Sequence, residues 1–375
     1  MQPKEYLIWI GTRPEAIKLC PLILEMQARG MKTRVMLSGQ HRDMVRPVLD
    51  FFGVKAQGDL CVMRQGQSVQ ALTERLLRGM AEEYAGEKRP DVAVVHGDTT
   101  TAFIGALCAF YAGVPVVHIE AGLRSDDSHS PFPEEFNRRA VDAMSDVYFA
   151  PTERARERLL KEGDPEGRIF VVGNTATDAL RLCLETPIAH PLIDAVGERR
   201  LVLLTSHRRE TEPSERLAML RGIRDTIEGR KGVCLVFPVH PSPSVREVAR
   251  AAFEGCENAI LTDPLPLPLM QQLLSRAYLL LTDSGGMQEE AAYLGIPTLV
   301  LREVTERPEG VTSGVLRTVG KGPFEVCRVL KELLDHPEKR DEMARSSFVF
   351  GDGYAARRIA DVLALWEARG SGWGA

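Results

Sequence analysis

Three carboxylates of this chain stand in candidate cleft loops, two of them just behind apolar runs. Asp98 follows 92–96 in HGDTTTA, Glu120 follows 114–119 in EAGLRS, and Glu134 lies in PEEFNR, which also carries Arg138. One acid behind a strand is most often a helix cap. Three in such loops suit proton removal and return, because carboxylates in different surroundings divide acid and base roles. A second set has the marks of an anion site. The run 278–282 ends in Asp283, Ser284, Gly285 and Gly286, and MQEEA then opens a helix. Glycines admit close backbone approach, and a helix start offers N–H groups and a positive dipole end, most simply to a diphosphate. An ordinary glycine-containing strand-to-helix turn accounts for these residues equally well. Glu290, about one turn further in, is placed to accept from two hydroxyls, as on a ribose. His207 follows the run 201–205 with Arg208 and Arg209 beside it. It suits neutralising a phosphate or protonating a leaving group, although a lone histidine is more often structural. GTRPEAIK at 11–18 has one glycine where a dinucleotide turn has three. Its two cations, Arg13 and Lys18, suit countering a diphosphate or balancing the carboxylates.

These residues need strand ends to hold them. Apolar, β-rich runs lie at 6–10, 33–37, 92–96, 114–119, 147–150 and 169–172, and a second set at 201–205, 233–239, 259–261, 278–282 and 298–301. Amphipathic stretches separate them; one spans 68–84 behind Ser68, a suitable cap. Near-continuous apolar strands alternating with helices indicate parallel sheets covered on both faces. ETPIAHP at 185–191 reads as a linker. The expectation is α/β, with two Rossmann-like doubly wound domains, a cleft between them, and ligands beyond the carboxyl ends of the strands.

The chain has 375 residues, 44% hydrophobic, with net charge -5 and a pI near 6.0. That balance, with dispersed basic residues, argues against nucleic-acid binding. No apolar segment suits a signal peptide or a membrane span. The seven cysteines are widely spaced without a C-x-x-C pair, which suits buried thiols in a reducing, cytoplasmic compartment. His96 and His118 are not at metal-ligand spacing, so no metal is expected, and no P-loop, nucleophile elbow or complete dinucleotide fingerprint is present.

Taken in order, GTRPEAIK, GQHRDM, HGDTTTA, EAGLRS, SPFPEEFNR, GNT, SHRRE, PVHP, TDSGGMQEEA and TERPE resemble the non-hydrolysing UDP-N-acetylglucosamine 2-epimerases, from about Ile8 to Gly353. The resemblance implies the GT-B fold, with residues 1–184 carrying the catalytic acids, 185–354 binding UDP, and a helix at 355–368 completing the first domain. It implies reversible interconversion of UDP-N-acetylglucosamine and UDP-N-acetylmannosamine by elimination and re-addition of UDP through a 2-acetamidoglucal, without cofactor. It assigns Asp98, Glu120 and Glu134 as candidate catalytic acids and His207 beside the diphosphate. Arg13, Ser284, Gly285 and Gly286 become phosphate contacts, Glu290 the ribose ligand, and Lys18 and Arg138 the cations supporting the acids. A homodimer serving polysaccharide synthesis follows by the same analogy.

Relatives of this kind often bind a second substrate molecule as activator, and Gln40, His41, Glu134, Arg208 and His240 match those positions. Asp43 and Gly66 depart, standing where a glutamine and an arginine are common, and Thr211, Glu212 and Pro213 replace a usual Asn-Phe-Gly. Weakened or altered activation is the expectation, since the chain loses a bidentate phosphate donor and gains an acid. The other readings are an epimerase for another UDP-2-acetamido sugar such as a 2,3-diacetamido uronate, a hydrolysing relative, a GT-B glycosyltransferase, and a UDP-sugar sensor without turnover. Retention of all three acids argues against the last.

Overall fold

The computed structural model describes residues 4–64, 66–125, 127, 131–206 and 212–368. They form two compact units: one takes Met1–Ala179 with Gly351–Ala375, the other Leu180–Phe350.

In the first unit the strands are β1 (Glu5–Ile10), β2 (Lys32–Leu37), β3 (Gly58–Asp59), β4 (Val92–His96), β5 (Val116–Ile119), β6 (Val147–Ala150) and β7 (Ile169–Val171). They pair in parallel in the order β3-β2-β1-β4-β5-β6-β7. Runs such as VAVVH in β4 are buried throughout, as a sheet covered on both faces requires. β5 starts at Val116 rather than 114, because Pro115 has no N–H for the ladder; its carbonyl alone accepts, from Ala93 at 2.9 Å. β3 was not legible: two residues beside Met36 and Leu37 leave no periodic signal. The stretch behind Ser68 is a helix over Val69–Ala81, with the Ser68 hydroxyl accepting from Ala71 N at 3.2 Å, and 3-10 turns follow from Glu82. The C-terminal helix Ala355–Ala368 is docked by specific bonds. The Asp178 carboxylate accepts from Ala355 N at 3.1 Å and Ala356 N at 2.9 Å, and Arg29 pairs with Asp361 at 2.6 Å.

The second unit has β8 (Arg200–Thr205), β9 (Val233–Pro238), β10 (Ala259–Thr262), β11 (Ala277–Thr282), β12 (Thr298–Val300) and β13 (Leu316–Thr318), parallel in the order β10-β9-β8-β11-β12-β13. Its core includes Leu204, Phe237, Leu281 and Leu299. Each such fully buried side chain contributes about 1.5–3 kcal/mol.

Both sheets reverse their winding at a central pair, β1 beside β4 and β8 beside β11. Crevices for ligands form at such switch points, outside the carboxyl ends of the strands. The loops singled out from sequence leave these four strands and their neighbours.

Candidate functional site

In the first unit, β1 runs into Gly11 and Thr12 before the helix Arg13–Ala28. Gly11 has to be glycine, since an added Cβ would lie 2.1 Å from Thr101 Oγ1 on the helix Thr100–Tyr111 behind β4. That close approach brings the two switch-point turns together. Arg13 opens the first helix, and Lys18, a turn later, forms an ion pair with Glu120 Oε1. Asn174 Nδ2 donates to the same oxygen at 2.7 Å. Glu120 follows β5 with φ at 68°, a left-handed conformation that costs a non-glycine residue about 1–3 kcal/mol and is characteristic of functional positions. Its Oε2 lies 3.7 Å from His96 Nε2, beyond hydrogen-bond reach. Burial pushes His96 down to about 3, so this ring is neutral near pH 7.

Asp98 follows β4 and is ion-paired to Arg138, while its carbonyl accepts from Asn137 Nδ2 at 2.9 Å. Glu134 is half-buried in the first turn of the helix Glu134–Met144 and makes no hydrogen bond or ion pair among the described residues. Behind these loops lies a buried network. His118 Nε2 donates to Gly97 O at 2.9 Å, and Nδ1 donates to Asp142 Oδ1 at 2.6 Å. Asp142 Oδ2 also accepts from Arg124 at 2.8 Å and from Gly122 N at 3.3 Å. Burial alone would raise the Asp142 carboxyl, but His118 and Arg124 outweigh it and hold Asp142 below its ordinary value. One acid thereby ties the Gly97 turn to the Gly122 turn, and so Asp98 to Glu120.

Gln40 and His41 follow β2. Thr101 Oγ1 donates to Gln40 Oε1 at 3.0 Å, and both Gln40 and His41 line a cavity of about 420 Å³ that Asp43 also borders. Burial lowers the pKa of His41.

In the second unit, Ser284 N-caps the helix Gly285–Leu294 in an extended conformation, and its hydroxyl makes no cap bond. Among the described residues, no side chain caps the N–H groups of Gly285 and Gly286. An added Cβ at Gly286 would meet nothing within 4 Å, so the protein itself does not require glycine there. A Cβ at Gly285 would lie 3.5 Å from the Arg307 guanidinium, which Glu289 holds in an ion pair. Glu290 is buried and accepts from Gln271 Nε2 at 2.8 Å. Thr205 and Thr282 hydroxyls, 2.6 Å apart, join the ends of β8 and β11. His240 is exposed beyond β9. His207 and Arg208 lie outside the described residues.

The structure thus joins Lys18 to Glu120 and Arg138 to Asp98, and gathers Ser284, Gly285 and Gly286 at one helix start. Sequence reading gave no role to Glu15, Asn174, Arg307 or the His118 network. Glu15 was legible, since TRPE is a capping box; the others are long-range partners with no local signal. Among the described residues, no His, Cys, Asp or Glu side chains gather as a metal site, and no helix is long and apolar enough to cross a membrane.

A family model described as UDP-N-acetylglucosamine 2-epimerase matches residues 24–364. The Bacillus subtilis UDP-N-acetylglucosamine 2-epimerase is 43% identical over 366 residues, 97% of this chain and 96% of that protein. The Neisseria meningitidis UDP-GlcNAc 2-epimerase, solved bound to UDP-GlcNAc, superposes with a TM-score of 0.88 at 36% identity, covering 96% of this chain and 100% of that one. The S. aureus MnaA-UDP co-structure gives 0.89 at 37%, covering 97% of each chain.

Proposed function

The chain belongs to the UDP-N-acetylglucosamine 2-epimerase family, and from that premise we propose how its own residues carry the reaction. Its fold is GT-B, and it is an isomerase that reversibly converts UDP-N-acetylglucosamine to UDP-N-acetylmannosamine. Inversion at carbon 2 without an oxidant runs through elimination. A carboxylate of the first unit removes the carbon-2 proton, the bond from carbon 1 to the diphosphate oxygen breaks, and the electron pair leaves with UDP. The resulting 2-acetamidoglucal takes UDP back while a proton returns to the other face of carbon 2.

The observation that carries this reading is the pairing of Asp98 with Arg138 and of Glu120 with Lys18, at adjacent strand ends bound to one buried network. Preset charges of this kind spare the reorganisation that water would require. Glu134, which has no hydrogen-bond or ion-pair partner among the described residues, completes the acid set. The departing UDP stays bound at the helix start of Gly285 and Gly286, with Arg307 beside it and Glu290 toward the ribose. Arg13 adds a phosphate contact, and His207 serves the leaving oxygen.

Proton NMR of UDP-N-acetylglucosamine with the protein in deuterated water tests the reading. Deuterium at carbon 2, with UDP-N-acetylmannosamine formed and UDP still attached, is the expected result. Free UDP with free N-acetylmannosamine would replace it with the hydrolysing reaction. No exchange would remove the basis for the acid assignments.

The working form is a homodimer. Phe110, Tyr111 and Phe136 support it, being 56%, 76% and 55% exposed on helices of the first unit. A cytoplasmic location is supported by seven free cysteines.

A further inference from the structure

We propose that Glu15 is a positioning residue that locks the Arg13 turn to the Asp98 turn, through three hydrogen bonds rather than through its charge. Glu15 is buried, 2% exposed, in the first turn of the helix Arg13–Ala28. Its Oε2 accepts from Thr12 N at 2.6 Å and Gly11 N at 3.2 Å, directly behind β1. Its Oε1 accepts from the Thr99 hydroxyl at 2.8 Å, directly behind Asp98. Thr99 Oγ1 in turn accepts from Ala102 N at 3.1 Å, capping the helix Thr100–Tyr111. One carboxyl therefore spans the starts of both helices at the β1/β4 switch point and fixes the residues flanking Arg13 and Asp98. A capping box needs only the Thr12 bond. The Thr99 bond is additional and carries the coupling.

Charge is not what this geometry uses. Burial pushes the Glu15 carboxyl up to about 7, although the Thr12 and Thr99 hydroxyls and the Thr12 and Gly11 amides favour the ionised form. An amide has the right groups too. The oxygen of a glutamine accepts from Gly11 and Thr12, and its NH2 donates to Thr99 Oγ1, which has a lone pair to spare. A thioether or methyl group cannot replace either contact.

The inference rests on the roles given above to Arg13 and Asp98, and the test keeps the two apart. In the full-length protein, Glu15→Gln, Glu15→Met, Thr99→Ala and the double variant Glu15→Met/Thr99→Ala are compared by carbon-2 deuterium exchange, alongside Asp98→Asn. The expected result is that Glu15→Gln keeps most of kcat while Glu15→Met loses about 100-fold, the scale of a 1 Å misplacement of reacting groups. KM changes far less than kcat, because other residues hold most of the UDP. The double variant loses less than the sum of the two singles, since the two residues share one bond. Should Glu15→Met not fold, Thr99→Ala with Thr99→Ser as rescue reads the same bond. Equal inactivity of Glu15→Gln and Glu15→Met would overturn the inference, because the charge would then be the working part. So would near-normal kcat in Glu15→Met or additive losses in the double variant. An active Asp98→Asn would instead overturn the acid assignment.

Discussion

The two units solve opposite problems with the same topology. In the first, the groups at the strand ends are already satisfied: Asp98 by Arg138, Glu120 by Lys18 and Asn174, Gly97 by His118. In the second, the helix start at Gly285 has no side-chain cap among the described residues, and a Cβ at Gly286 would meet nothing within 4 Å. A unit that handles protons needs its charges fixed before substrate arrives, since reorganising them during the reaction adds to the barrier. A unit that holds a diphosphate needs donors unspent until the anion supplies their acceptor. The same strand-turn-helix element is therefore filled in one case and bare in the other.

The largest effects should come from emptying the filled side. Asp98→Asn and Glu120→Gln should each lower carbon-2 exchange by about 100- to 10,000-fold, the range for losing a general acid or base, with UDP affinity by calorimetry unchanged. A parallel collapse of UDP affinity would erase the division between the units.

Filling the empty side is the converse experiment. Gly286→Asp puts an anion where the phosphate is proposed to lie, and UDP affinity should fall by about 100-fold, since facing like charges cost several kcal/mol. Melting temperature should hold or rise, because the site is sterically open and an acid in a first helical turn favours the helix dipole. Unchanged UDP binding in a folded Gly286→Asp variant would move the diphosphate elsewhere.

How far the sequence revealed these sites follows the same divide. Ser284 to Gly286, Asp98 and Glu120 stand directly behind apolar runs, so their places at strand ends were readable from local pattern. Their partners were not. Asn174 reaches Glu120 across 54 residues and Arg138 reaches Asp98 across 40, separations no local period encodes. β13 (LRT) and β3 (GD) are too short to show alternation, and strand status there comes from neighbours in the sheet. Glu120 also broke a local rule, since nothing in EAGLRS marks a glutamate with positive φ. Such a departure from propensity concentrates where function, rather than folding, sets the conformation.

A smaller effect probes the buried support on the filled side. His118→Leu should remove the donors to Asp142 and Gly97, destabilising the protein by about 3–5 kcal/mol as a broken buried pair does, with a lesser loss of kcat. The pH dependence has a definite sign. Asp142 has a depressed pKa in the fold, so its contribution is present above the ordinary aspartate range and fades as pH falls through the depressed value. Denaturant titrations across the acid range should therefore show the gap between variant and parent narrowing as pH falls. A gap that is constant with pH would mean His118 acts by packing alone.

The smallest predicted effect lies at the cavity beyond β2, where the filled unit keeps some open space. Asp43 borders it in the first turn of the helix Arg42–Phe52, and Gly66, with φ at 70°, has nothing within 4 Å of its added Cβ. Arg42 and Arg64 also line the cavity, but the Asp43 acid offsets their attraction for a second diphosphate, and Gly66 adds no further guanidinium. Initial rates should then depend linearly on UDP-N-acetylglucosamine at low concentration. Asp43→Gln should introduce mild upward curvature, a coupling of about 1 kcal/mol, while losing about 0.3–1 kcal/mol of helix-dipole stabilisation. Gly66→Arg is the poorer probe, because a left-handed backbone costs a non-glycine residue about 1–2 kcal/mol before any ligand is bound. Strong sigmoidality in the unsubstituted protein would show that the cavity binds activator despite Asp43, and that openness on the acid-bearing unit also serves a nucleotide sugar.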